Sequence, residues 1–233
     1  MQISIIIPVY NEAVHIGGLV HYLLAHASGV SLEIIVVDAA STDDTTAKAI
    51  AAGARVLKSP QKGRAAQMNY GASMSAGDIL YFVHADTRPP VSFAADIIQA
   101  FQSGFHLGRY FTKFDSPKWI LKINAWFTRL DWFICMGGDN TLFVSRQVFE
   151  QSGGFKSEMI IMEEYEFCDR LRKQGVAYKI MPRSALVSAR KYDGRSWWQV
   201  QMANRKVVAM YKKGASQAEM AGTYKRMLHK KSP

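Results

Sequence analysis

Ile3-Ser4-Ile5-Ile6-Ile7-Pro8-Val9 opens the chain as a run rich in β-branched residues and stops on Tyr10-Asn11-Glu12. An apolar run without polar alternation is what a strand buried on both faces requires, and such strands belong to parallel sheets covered by helices. Glu33-Ile34-Ile35-Val36-Val37 repeats the pattern and ends on Asp38. Between the two runs, Ile16, Leu19, Val20, Leu23 and Leu24 recur at helical spacing, with Asn11 or Glu12 placed to cap that helix. Strand, helix and strand in this order make a βαβ unit.

The rhythm continues. Ser41-Thr42-Asp43-Asp44 opens a helix through Ala52, Gly53 stops it, and Arg55-Val56-Leu57 forms a short strand. Gly63 to Asn69 then leads a helix toward Gly77, and Ile79 to Val83 is the next buried strand. The expected class is α/β: a Rossmann-like, mostly parallel sheet flanked by helices.

After Asp96 the pattern changes, and a second, irregular lobe is expected. Trp119, Trp126, Phe127, Trp132 and Phe133 surround a helical pattern; they are read as core packing against the sheet, with a membrane-surface role as the alternative. Asn140 to Val144 and Ala177 to Met181 read as strands, and Glu163 to Lys173, Trp197 to Tyr211 and Gln217 to Leu228 as helices. There is no internal repeat and no low-complexity linker.

With 233 residues, 48% of them apolar, the chain can bury a full core as one large domain. Its formal net charge of +10 points to an anionic partner: nucleic acid, a phosphorylated small molecule or an acidic membrane surface. Basic residues gather between Arg183 and Lys231, but no RNP stretch or Cys/His finger accompanies them, so nucleic acid is not expected. Two cysteines, Cys135 and Cys168, do not make a disulfide framework and fit a reducing cytoplasm. Met1-Gln2-Ile3-Ser4 carries no basic leader, and no apolar run reaches the roughly 18 residues of a spanning helix. The expected location is cytoplasmic, at most peripheral at the inner face of the membrane.

In open α/β sheets ligands bind at the carboxyl ends of the strands. The turn after the first strand has no G-x-G-x-x-G and no G-x-x-x-x-G-K-[ST], which argues against a dinucleotide oxidoreductase or a P-loop enzyme. A nucleotide here would be held by side chains, with Tyr10 beside a base and Asp38 accepting from a base N–H or ribose hydroxyl. Asp38 and Asn11 would equally serve as turn caps. Val83-His84-Ala85-Asp86 ends the fourth strand, where Asp86 suits a hard cation held by a protein carboxylate and substrate phosphates. His84, on the same side of an extended chain, would ligate manganese, touch the nucleotide or be satisfied inside the sheet.

Glu163-Glu164-Tyr165-Glu166 opens a helix with adjacent carboxylates, whose repulsion raises one pKa toward a general base; acidic residues also favour helix N-termini whatever their role. Arg190 and Lys191, with Arg195 and Trp197-Trp198 behind them, put cations and aromatics on a loop where arginine could clamp a diphosphate, or form a solvated basic surface.

Together these stretches resemble the family 2 inverting glycosyltransferases of the GT-A fold. The matching motifs are P-x-Y-N-E at Pro8 to Glu12, Asp38 followed by Ser41-Thr42-Asp43, G-R-x-x-Q-x-N-x-G at Gly63 to Gly71, a D-x-D position at His84 to Asp86, and E-D-x-[DE] at Glu163 to Glu166. Lys62 to Asn69 and His84-Ala85-Asp86-Thr87 are more narrowly similar to a bacterial subgroup of radical-SAM/selenodomain-associated transferases. Two positions depart from the family: His84 replaces the first acidic residue of D-x-D, and Glu164 stands where an Asp is usual.

The resemblance implies a GT-A domain over 1–195, its nucleotide-binding half at 1–100 and its acceptor-side half at 101–195, with 196–233 as a basic helical extension. It implies a nucleotide-sugar donor, a UDP-sugar, bound by Pro8, Val9, Tyr10, Glu12, Asp38, Arg64, His84 and Asp139. Asp86 would hold Mn2+ or Mg2+, Arg190 and Lys191 would offset the diphosphate, and Glu164 with Glu163 would take the proton of an acceptor hydroxyl, a lipid-linked acceptor being among those the resemblance allows. A catalytically weak nucleotide-sugar-binding protein and a basic membrane-surface module are the alternative readings.

Overall fold

The computed structural model describes residues 1–133 and 141–229. Strand β1 (Gln2–Val9) is flanked by β2 (Ser31–Asp38) and β4 (Ile79–Phe82), and β3 (Arg55–Lys58) pairs with β2, all in parallel. The register sets Val9 opposite Asp38 and Ile6 opposite Phe82, so these strands finish on one edge. The sheet continues through β5 (Thr87–Arg88), β6 (Leu107–Phe114), β7 (Leu142–Ser145) and β8 (Tyr178–Val187) to give the order β3-β2-β1-β4-β7-β6-β8-β5. β7 runs antiparallel to both β4 and β6, and β8 is parallel to β6.

The period of two in the first strand is visible in what its residues touch. Ile3, Ile5, Ile7 and Val9 pack with helices α1 (Ile16–Ala25) and α4 (Phe93–Gln102) on one face, where Leu19, Leu23, Phe93 and Ile97 are buried. Ile6, with Ile35 and Val37 of β2, faces α3 (Arg64–Ser73) through Ala65, Met68 and Ala72. Gly71 is required at that contact, because a Cβ there would lie 2.6 Å from Ile6 Cγ2. Helix α2 (Thr45–Ala51) lies between β2 and β3 in the chain.

Three expectations are corrected. First, neither Asn11 nor Glu12 caps α1 by its side chain. The N-cap is His15, and only the Glu12 backbone carbonyl accepts, from the amides of His15 and Ile16 at 3.0 Å each. Second, the region after Asp96 is not a separate lobe, since β6, β7 and β8 extend the same sheet. β6 was hidden because Gly108 and Arg109 interrupt its apolar pattern. Gly108 leaves room for the Phe143 ring, and fully buried Arg109 donates to Tyr178 Oη at 2.6 Å and to the Thr128 and Leu130 carbonyls at 2.7 and 3.2 Å. Third, in α5 (Trp119–Phe127), Leu121 is buried while Trp119, Trp126 and Phe127 face outward, so those aromatics do not form core.

After α6 (Arg146–Gln151), which the sequence reading does not anticipate, α7 (Glu163–Lys173), α8 (Trp197–Lys212) and α9 (Gln217–Leu228) follow the periodicity closely, and a 3-10 turn, also unanticipated, lies at Ala189–Tyr192. Val207, Val208 and Met220 join the core cluster of α3 and α7, so the C-terminal helices pack onto the sheet layer. Cys168 is buried and free; Cys135 lies outside the described residues. No described helix is long and apolar enough to cross a membrane.

Candidate active site

The parallel strands deliver their polar residues to one edge, and the backbone there is bent tightly. Asn11 and Ala40, just beyond β1 and β2, hold φ of 56° and 64°, a region that costs a non-glycine residue roughly 1–2 kcal/mol. The two turns are tied together. The Asn11 amide donates to Ser41 Oγ at 2.9 Å, and Asn11 Oδ1 accepts from the Thr42 amide at 2.9 Å. Asp38 is buried, and its carboxylate accepts from the amide and hydroxyl of Ser41. It therefore holds the turn after β2 and does not line the cavity beside it.

That cavity, about 330 Å³, is lined by Pro8, Val9, Tyr10, Glu12, Arg64, Gln67, His84, Ala85, Asp86 and Arg190. It gathers most of the residues expected from the sequence. Gln67 was not among them as a site residue. It is buried on α3, and its amide nitrogen donates to the carbonyls of Val9 at 2.9 Å and Val37 at 2.7 Å, fastening the ends of β1 and β2. The available signal was a glutamine on the apolar face of a helix, which must find polar partners when buried.

Arg190 closes one side of the cavity. Its Nη2 and Nη1 donate to the two carboxylate oxygens of Glu12 at 2.6 and 2.9 Å, and its Nε lies 2.8 Å from Asp86 Oδ2. One guanidinium thus balances two carboxylates, and its pKa is raised first by the Glu12 hydrogen bond, against a desolvation cost and with help from Asp86.

His84 and Glu164 meet at the back wall, with Nε2 and Oε1 2.9 Å apart. The His84 side chain is 14% exposed and Glu164 only 4%, so the imidazole is the more accessible member. Burial would lower the His84 pKa, but the charge and hydrogen bond of Glu164 outweigh it and hold it raised. The two positions that depart from the family motif are therefore direct partners. Beside them, Glu163 Oε1 lies 2.7 Å from Arg64 Nε, and its pKa is raised by burial above all, with Arg64 opposing and Glu164 adding. Of the adjacent carboxylates, Glu163 is held raised.

Met162 reaches this helix start in the left-handed region, φ 68°, and so turns Glu163 and Glu164 into the first turn of α7. Glu166 plays a different part: it pairs with Arg170 at 2.9 Å and Lys156 at 3.1 Å. Lys191 does not line the first cavity. It belongs to a second one, about 340 Å³, with Ile161, Met162, Tyr165, Asn204, Val207, Val208, Tyr224 and Leu228, and Arg64 is common to both. Asp139 lies outside the described residues. Among the described residues no three His, Cys, Asp or Glu side chains form a metal cage.

A sheet of this order, with acidic and basic side chains collected at its strand ends, defines a nucleotide-diphospho-sugar transferase fold of the GT-A type. The chain belongs to glycosyl transferase family 2, whose model matches residues 4–157. It is 32% identical over 96 residues to a glucosyl-3-phosphoglycerate synthase of Mycolicibacterium smegmatis, covering 38% of this chain and 32% of that protein. It is 28% identical over 109 residues to a dolichol-phosphate mannosyltransferase of Pyrococcus furiosus, covering 45% and 31%. The chain thus spans about a third of the length of these curated relatives. Among solved structures, a Pyrobaculum calidifontis mannosyltransferase in complex with GDP-Man and Mn2+ superposes with a TM-score of 0.68 at 18% identity, over 97% of this chain and 68% of that one. The Mycobacterium tuberculosis glucosyl-3-phosphoglycerate synthase with Mn2+, UDP and glucosyl-3-phosphoglycerate gives 0.60 at 19%, over 92% and 80%. At these identities the likeness establishes the fold.

Proposed function

We propose that this chain transfers a sugar from a nucleotide-sugar, a UDP-sugar, to an acceptor hydroxyl with inversion at the anomeric carbon. The observation that carries this reading is the His84–Glu164 contact. It joins a buried carboxylate to the wall of a cavity that also presents Asp86 and Arg190. Lys62 to Asn69 and His84 to Thr87 support membership of the radical-SAM/selenodomain-associated subgroup.

The nucleoside lies along Pro8, Val9 and Tyr10, with Arg64 and Glu12 as polar contacts. The residues present fit a hard divalent ion: Asp86 and Glu12 already share a cationic group, and carboxylates with substrate phosphates suffice for Mg2+ or Mn2+. Such an ion, held by Asp86, would offset charge on the diphosphate. Arg190, released from its two carboxylates, does the same by paired hydrogen bonds.

Glu164 stands between the cavities. Its partner His84 lines the first, and its chain neighbours Met162 and Tyr165 line the second. An acceptor entering the second cavity presents its hydroxyl to Glu164, which takes the proton as the oxygen bonds to the anomeric carbon. The bond from that carbon to the diphosphate oxygen breaks on the opposite face, and the electron pair leaves with the nucleoside diphosphate. Ile161, Val207, Val208 and Leu228 give the second cavity an apolar side next to Arg64 and Lys191, which suits a lipid-linked acceptor.

A thermal-shift panel of UDP, GDP and their sugars, with and without Mn2+, tests the reading. A ligand at a hundredfold excess over its Kd adds about 2.7 kcal/mol of stability. A metal-dependent rise in Tm with one nucleotide is expected; no rise with any of them refutes the proposal.

A further inference from the structure

We propose that α5 and α8 together form a docking face for an anionic membrane surface. This inference goes beyond the glycosyl-transfer reading and does not depend on it.

Helix α5 is turned inside out relative to an ordinary surface helix. Its inner face supplies Leu121, buried, with Ile120 and Ala125 packed against the same cluster. Its outer face, at the spacing i, i+4, i+7, carries Trp119 (69% exposed), Ile123 and Trp126 (55% exposed), with Phe127 beside them and Trp132 (55% exposed) following. Rings meet within this face: Trp126 edge-to-face with Phe127 at 5.4 Å and Phe127 tilted against Trp132 at 6.3 Å between centroids. The arrangement is not a loosely placed helix, because buried Arg109 donates to the Thr128 and Leu130 carbonyls at its end and Thr128 Oγ1 accepts from the Thr112 amide at 2.9 Å. The fold thus holds the aromatics in water.

Helix α8 continues the face. Leu121 of α5 and Val200 of α8 share one buried cluster, and Asn124 and Gln201 both donate to Tyr192 Oη at 3.3 Å. On its outer side α8 shows Trp198 (71% exposed) and Met202. Charge selects the partner. Lys118, Lys122 and Arg129 flank the α5 aromatics, and Arg205 and Lys206 follow Met202, all exposed; 116–130 and 197–212 contain no acidic residue, and Asp131, just before Trp132, is paired with Arg172 at 2.7 Å. Tryptophan and phenylalanine with an excess of lysine and arginine are the composition of a helix that lies in the interface of an anionic bilayer. The aromatic rings sit at headgroup level, and each basic side chain near such a surface favours binding by about fivefold.

The test is co-sedimentation of the full chain with vesicles of phosphatidylcholine alone and with phosphatidylglycerol added, at low and high salt, together with its oligomeric state in solution. The proposal expects binding to the phosphatidylglycerol vesicles, weakened by salt. It expects at least a tenfold loss of binding in the Trp119→Ser/Trp126→Ser variant and at least a fivefold loss in Lys122→Glu, with circular dichroism and nucleotide-induced thermal shifts unchanged in both. No preference for the anionic vesicles would overturn it. So would wild-type binding by both variants, or a dimer that the double variant dissociates while vesicle binding is absent, which would assign the face to a second copy of the chain.

Discussion

Replacing Glu164 by Gln isolates proton transfer from everything else this residue does. The amide has the shape of the carboxylate, and its oxygen can still accept from His84 Nε2 across the 2.9 Å contact. Glu164 does not line the donor cavity, so donor affinity should stay within about twofold of wild type. What disappears is the base, and general-base assistance is worth ~10²–10⁴-fold, or about 3–5 kcal/mol of barrier. Glu164→Ala serves as the contrast, because it also strips a buried imidazole of its partner, a loss of about 1–3 kcal/mol in stability. For a domain of this length that corresponds to a fall in Tm of a few degrees per kcal/mol. The assay is nucleoside diphosphate release in the presence of acceptor, with donor affinity and circular dichroism measured on the same preparations. A Glu164→Gln enzyme that turns over within twofold of wild type, folded and binding donor normally, would refute the assignment.

Arg190→Ala should act with two signs: freeing Asp86 and Glu12 tightens Mn2+ binding in the absence of nucleotide, while affinity for a nucleoside diphosphate falls at least tenfold, both read by calorimetry. Gln67→Leu removes a donor from the Val37 carbonyl and one from Val9, which keeps the Ala39 amide at 3.1 Å, so urea unfolding should show a loss of about 1–3 kcal/mol. The raised pKa of His84 also carries a pH signature. Folded His84 binds its proton more tightly than the unfolded chain does, so its contribution to stability is complete below about pH 6.5 and is lost as pH rises through the folded value. The unfolding free energy of wild type should therefore fall with rising pH near neutrality, and His84→Gln should flatten that slope; an identical slope in both would count against the charged pair.

The nucleotide-binding half was legible because β1, β2 and β4 are buried on both faces and announce themselves as unbroken apolar runs. The site residues that follow those strands, Glu12, His84 and Asp86, could be placed together because the carboxyl ends of parallel neighbours open on the same edge. What could not be read was fixed by contacts distant in sequence. Arg109 looks like a surface residue until Tyr178 and two carbonyls surround it, which is why β6 was missed. Asn11 and Glu12 look like caps, but Ser41 and Thr42 engage the first and Arg190 the second. Hydrophobicity alone sends three tryptophans inward, and only the structure shows Trp119, Trp126 and Trp132 exposed. Nor does any local pattern report that His84 and Glu164, the two departures from the family motif, are hydrogen-bonded to each other.

The central claim is that the cavity at the strand ends is a nucleotide-sugar site built on Asp86. Calorimetric titration of UDP into wild type and Asp86→Asn, each with and without Mn2+, tests it most directly. The account predicts binding by wild type that depends on Mn2+ and weakens at least tenfold in Asp86→Asn. Affinity that is the same in all four titrations, or no binding in any of them, would contradict it.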